Sequence, residues 1–230
     1  MRRPNHHDTP MADQTLQPPL LAPLPVFQEL SPEVRAAALA RLMERRPPGE
    51  DLWIFAYGSL MWDPCFEAIE ERPATVHGYS RAFTMWSWRA RGTVERPGLG
   101  LGLEDDGGCS VGLAYRFDPA RETESLDAAW NREMVTGIYE AHWVSAETAD
   151  GPVPAITFVI ERSHHQYAGH KPVDEMAAIM AGAEGSKGPC RDYLANVVAE
   201  LDKLEAPDAY LADLLIRVDA NRANRAAIGS

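Results

Sequence analysis

Along the chain, apolar positions fall into short blocks whose spacing changes four times. Ser31 followed by Pro32 reads as an N-cap with proline at the first helical position. Val34, Ala37, Leu39, Leu42 and Met43 then form a patchy apolar stripe that stops before Arg46-Pro47-Pro48-Gly49. After Gly49 the pattern becomes strand-like. Leu52-Trp53-Ile54-Phe55-Ala56 is a short apolar run ending at Tyr57-Gly58-Ser59-Leu60, and Ala74 to Trp88 is rich in aromatic and β-branched residues. Leu99, Leu101 and Leu103 alternate with Gly100 and Gly102, so one face packs and the other leaves room for close backbone approach. Asp105-Asp106-Gly107-Gly108 reads as a turn and Ser110 to Phe117 as the returning strand, which predicts a hairpin. Residues 122–134 read as helix, with Leu126, Ala129, Trp130 and Glu133 close to one face. Strands follow over 138–146 and 153–161, around Asp150-Gly151. From Val173 the pattern turns helical, over roughly 173–182, 189–205 and 208–227.

With about six strands in the middle and helices at both ends, this is one α+β domain. The expected organisation is a proline-rich, flexible tail over 1–30, an N-terminal helix over 31–48 and a single domain over 50–228. The 230 residues suffice for a core without staples. Three cysteines rule out a disulfide scaffold and suggest a reducing compartment, so the expected location is the cytoplasm. No apolar run is long enough to span a bilayer, and no membrane partner is expected. The net charge of −12 argues against nucleic acid. That charge is uneven: residues 81–96 are basic, with Arg81, Arg89, Arg91 and Arg96 against Glu95. A basic island in an acidic chain is a place for a small anion to dock, or simply local charge balance.

Candidate chemistry is sparse. Cys65, Cys109 and Cys190 lie far apart, and each reads better as a buried structural residue than as a ligand or nucleophile. His164 and His165 would point to opposite faces of a strand, a poor arrangement for one metal. The glycines near 98–102 miss the dinucleotide spacing, and Gly185-Ser186-Lys187-Gly188 lacks the ending of a phosphate loop. No cofactor and no metal are therefore expected. Tyr57-Gly58-Ser59-Leu60 remains, a strand end whose backbone N–H groups can cradle a carboxylate or a developing oxyanion.

Six ordered blocks give that turn its weight. Trp53-Ile54-Phe55-Ala56-Tyr57-Gly58-Ser59-Leu60-Met61-Trp62-Asp63-Pro64 resembles the opening signature of the ChaC family of γ-glutamylcyclotransferases. His77 to Phe83, Arg91-Gly92-Thr93 with Pro97-Gly98, and Gly112 to Arg116 resemble its next blocks. So do Trp130 to Met134 with Gly137 and Tyr139, and Tyr193-Leu194. The resemblance implies a mixed β-barrel flanked by helices and a cofactor-free reaction. In that reaction the α-amine of glutathione attacks its own γ-carbonyl, giving 5-oxoproline and Cys-Gly. It implies Glu133 as general acid and base, with Trp130 and Met134 beside it as an apolar wall. It also implies a substrate cradle of Phe55, Ala56, Tyr57, Gly58, Ser59 and Leu60, with Arg91 and Tyr193 lining the pocket.

The pattern departs from the family at Ala56, where a glycine is usual, at Ala90, where many relatives carry a histidine, at Leu99, where an arginine is usual, and at Cys190 in the stretch before the late Tyr-Leu, where an asparagine is often found. These departures bear on substrate choice more than on reaction. Two other readings stay open: a regulatory or γ-glutamyl-sensing protein on the same fold, and a cyclotransferase for other γ-glutamyl amines or dipeptides. The oligomeric state is left between a monomer and a weak dimer.

Overall fold

The computed structural model describes residues 28–228, so the proline-rich segment lies almost wholly outside the described residues. Helix α1 spans Pro32–Met43, with the Ser31 hydroxyl accepting from the Val34 N–H at 3.3 Å. It ends earlier than residue 48 because Glu44 caps it and the prolines beyond cannot continue it. Trp130 and Trp143 tie it down, their indole N–H groups donating to the Arg35 and Leu42 carbonyls.

Five strands form a closed barrel: β1 (Trp53–Ala56), β2 (Glu70–Ser87), β3 (Gly98–Arg116), β4 (Tyr139–Thr148) and β5 (Gly151–Ile160). The order around the barrel is β1-β3-β2-β4-β5. Closure comes from β1 pairing parallel with β5, Trp53 opposite Ala155 and Ile54 opposite Ile156; the other pairings are antiparallel. A strand between two neighbours and covered on both faces needs an unbroken apolar sequence, which 52–56 supplies. Its alternate residues join two separate apolar clusters. Trp53, Phe55 and Tyr57 pack with Leu99, Leu101, Leu103 and the C-terminal helices. Ile54 and Ala56 pack with Leu113, Phe158, Ile160 and α2 (Glu122–Glu133).

The expected hairpin at 105–108 is not formed. Both segments belong to one long strand, β3, which runs beside β2 throughout. The turn residues are absorbed as a bulge: His77 pairs with Cys109 and Tyr79 with Asp105, so Asp106, Gly107 and Gly108 stand opposite Gly78 and β3 carries extra length there. Gly107 takes a positive φ of 82°, which explains why glycine suits the site without a chain reversal. The C-terminal part is α3 (Val173–Gly182), a ribbon of β6 (Glu184–Gly185) and β7 (Gly188–Pro189), then α4 (Cys190–Lys203) and α5 (Ala209–Ile228). No helix among the described residues is long and apolar enough to cross a membrane.

Candidate active site

At the end of β1 the chain leaves the barrel through Gly58 into a single 3₁₀ turn, Ser59–Met61. A Cβ on Gly58 would lie 3.2 Å from the Tyr193 hydroxyl and 3.7 Å from Leu101, so only glycine lets the turn sit against α4 unstrained. The turn is pinned from both sides. Arg81 donates from Nε to the Tyr57 carbonyl at 2.6 Å. Arg132, near the end of α2, donates to the Ser59 hydroxyl at 2.9 Å and to the Asp63 carbonyl at 2.6 Å. At the start of such a turn the N–H groups have no acceptor within it and stay available to a ligand.

This turn forms one wall of a cavity of about 400 Å3. All nine residues singled out from the sequence line it: Phe55, Ala56, Tyr57, Gly58, Ser59, Leu60, Arg91, Glu133 and Tyr193. Glu133 is the last residue of α2. Its side chain keeps 17% of its surface, because it faces the cavity, yet protein surrounds it. Removal from bulk water pushes its carboxyl up to about 7, while Arg132, with Nε 3.4 Å from the carboxylate, pulls the other way. The apolar wall beside it is not Trp130 and Met134, which are buried against the barrel. Leu101, Ile138, Tyr139 and Phe158 line the cavity instead.

Three tyrosines complete the deep end. Tyr57 donates to the Phe158 carbonyl at 2.8 Å and Tyr139 to the Leu101 carbonyl at 2.7 Å. Burial, then the neighbouring charges, push Tyr57 and Tyr139 far above the ordinary phenol value, and burial and Glu133 push Tyr193 up as well. All three therefore remain protonated throughout the physiological range. Tyr193 carries the Arg91 guanidinium over its ring at 5.3 Å.

The rim is built from two loops locked together by glycines. A Cβ on Gly98 would come 2.1 Å from the Arg91 carbonyl oxygen, and one on Gly92 2.2 Å from the Gly98 nitrogen. Gly185 presses as closely on the backbone of residues 89–92. Ser186 and Lys187 continue this contact, their N–H groups donating to the Arg89 and Ala90 carbonyls at 2.8 and 2.9 Å.

The basic island thus divides. Arg89 and Arg91 line the cavity, Arg81 supports the turn from behind, and Arg96 reaches toward the Gly182 carbonyl. Two cations that the sequence reading did not assign to the site join them, Arg132 and Lys187. Arg132 was visible inside the Trp130–Met134 block, adjacent to Glu133. Nothing local marks Lys187, which only the packing of Gly185 brings to the cavity.

Among the cysteines only Cys190 is fully buried. Its thiol bonds the Leu99 carbonyl at 3.2 Å, and burial pushes it up to about 11. Cys65 is half-buried and Cys109 exposed, against the expectation of burial, because Cys109 sits at the β3 bulge. His164 and His165 occupy a turn rather than a strand, with ring centres 4.2 Å apart. Among the described residues no group of three or more His, Cys, Asp or Glu is placed to hold a metal.

Residues 52–221 match the family model described as ChaC-like protein. A glutathione-specific γ-glutamylcyclotransferase of Escherichia coli is 39% identical over 82% of this chain and 81% of its own length. Glutathione-specific γ-glutamylcyclotransferase 1 of Rattus norvegicus is 32% identical over 91% of this chain and 90% of its own. In fold, the chain is similar to a crystal structure of a γ-glutamylcyclotransferase specific to glutathione from yeast. The TM-score is 0.68 at 21% identity, covering 76% of this chain and 98% of that one.

Proposed function

The chain belongs to the ChaC-like protein family, and from that premise we propose that it is a glutathione-specific γ-glutamylcyclotransferase, releasing 5-oxoproline and Cys-Gly. The observation that carries the proposal is Glu133, a carboxyl pushed up to about 7 in the wall of a cavity. A group with that value exchanges protons in both directions near neutral pH.

In this reading the γ-glutamyl end of the substrate lies in the deep half of the cavity. The N–H groups along Tyr57 to Leu60 hold it, and the protonated tyrosines close the surrounding walls. Glu133 as carboxylate takes a proton from the substrate α-ammonium. The freed amine attacks the γ-carbonyl carbon, forming the ring C–N bond. The carbonyl oxygen gains charge and needs donors, for which the turn N–H groups are placed. Glu133 then gives the proton to the nitrogen of the departing peptide as the original amide bond breaks, and as carboxylate again it takes the second proton from the ring nitrogen and passes it to the released amine, which leaves as ammonium. No water is consumed, so closing the walls costs nothing chemically and suppresses hydrolysis. Because the reaction is intramolecular, the protein gains by fixing the chain in its ring-closing shape and by moving protons.

Incubation with glutathione at roughly pH 6 to 9 is expected to yield equal amounts of 5-oxoproline and Cys-Gly. Neither product above background, or free glutamate in place of 5-oxoproline, overturns the proposal.

A further inference from the structure

The cavity has two ends of different character. Tyr57, Tyr139, Tyr193 and Phe158 make the inner end and are buried. Asp63, Arg89, Ser186 and Lys187 make the outer end; the side chains of Asp63, Arg89 and Lys187 are 55%, 63% and 63% exposed. In the cyclotransferase reading, on which this inference rests, the reacting amine and carbonyl meet at Glu133. The rest of the substrate then has one way out, along the rim. A two-residue leaving peptide places its terminal carboxylate about 7 Å beyond the scissile bond.

The cations at the cavity are not equally available to it. Arg132 is spent on Ser59 and the Asp63 backbone. Arg91 donates from Nη1 to the Lys187 carbonyl and lies over Tyr193. Arg89 pairs with Glu29 at 3.1 Å. Among the described residues the Lys187 ammonium pairs only with Asp63, at 3.8 Å, longer than a hydrogen bond. Its three donors are thus open to an incoming anion, with Asp63 alongside to hold the head group over the rim.

Its backbone, by contrast, is fixed. The Lys187 N–H donates to the Ala90 carbonyl at 2.9 Å and its carbonyl accepts from Arg91. Gly188 follows with a φ of 92°, and Gly185 leaves no gap against residues 89–92. An exposed cation on a loop whose backbone is anchored stands at a set place on the rim and can read the charge at the far end of a substrate.

We infer that Lys187 is a specificity-determining residue that selects substrates carrying a free carboxylate on the leaving-amine half, favouring γ-glutamyl peptides over neutral γ-glutamyl amines. A rim ion pair of this kind is worth about a 2- to 5-fold preference.

The test compares glutathione with its C-terminal carboxamide, in which only the terminal charge is removed. For the unmodified enzyme kcat/KM is expected to favour the free acid by about 2- to 5-fold. Lys187→Gln should collapse that ratio toward one, with the loss for glutathione appearing in KM, and Lys187→Arg should retain most of it. A ratio unchanged in Lys187→Gln, or no preference in the unmodified enzyme, overturns the inference. Calorimetric titration of the same two compounds into Glu133→Gln, with and without Lys187→Gln, separates binding from turnover. If the Lys187-dependent binding difference holds while the unmodified enzyme forms no 5-oxoproline, the carboxylate site stands and the cyclotransferase reading falls. If 5-oxoproline is formed but neither readout depends on Lys187, the reverse is true.

Discussion

The inner wall and the outer rim of one cavity are built by opposite means. The wall is made of strand and helix ends packed in two apolar clusters, and its polar groups are nearly all bound: Tyr57 to Phe158, Tyr139 to Leu101 and Arg132 to Ser59. The rim is made of loops that touch through glycine backbones and present loosely paired charges, such as Lys187 and Asp63. Rigid, water-poor surroundings suit proton transfer, because they can lift a carboxyl into the working range. Exposed charges suit the reading of a substrate's far end. The difference teaches that, in this reading, chemistry belongs to the wall and choice of substrate to the rim.

The largest effect separates the two at Glu133. Glu133→Gln keeps the shape and removes the proton carrier, so kcat should fall by roughly 10²–10⁴-fold in a 5-oxoproline assay. The same variant should become more stable at pH 8. A carboxyl whose folded value of about 7 exceeds the ordinary 4.5 stabilises the fold below about 4.5 and loses that contribution as pH rises through about 7. The gain on removing it is on the order of 2–3 kcal/mol at pH 8 and vanishes near pH 4, as thermal or urea unfolding would show. A fall in stability at pH 8 would mean that the carboxylate is well accommodated, against this account of the wall.

The next effect concerns the frame of the rim. Gly98→Ala sets a methyl group 2.1 Å from the Arg91 carbonyl oxygen, so the loop over 91–98 must open. Stability should drop by about 3 kcal/mol or more by urea denaturation. An unperturbed Gly98→Ala would show that this loop is not closed so tightly on itself. The smallest effect is expected at Arg91, whose guanidinium links the rim to Tyr193. Arg91→Ala should lower kcat/KM for glutathione about tenfold, mostly through KM, and should weaken its dependence on salt. Indifference to both would reduce this arginine to charge balance.

Much of the wall was legible in the sequence. The unbroken run before Tyr57-Gly58-Ser59-Leu60 announces a doubly covered strand, and Glu133 falls on the helix face that the apolar spacing marks. What escaped was set by partners distant in sequence. Asp105 to Gly108 has every local mark of a turn, yet β2 supplies a partner along the whole of β3 and the turn becomes a bulge. Trp130 and Met134 lie close to Glu133 in sequence but pack into the cluster between α2 and the barrel and do not line the cavity. Lys187 reaches the cavity only because Gly185 packs on a loop almost a hundred residues earlier, a contact that no periodicity reports. The one basic stretch contributed two of its four arginines to the cavity, because a charge count does not see which side of a strand each residue takes.

The central claim is that a buried Glu133 moves the proton in ring closure. Its most direct test is the pH dependence of kcat/KM for glutathione. The account predicts an acid limb that falls tenfold per pH unit below an apparent value of about 7, present in the unmodified enzyme and absent from the residual activity of Glu133→Gln. A limb near 4.5, or the same limb in both proteins, would contradict it.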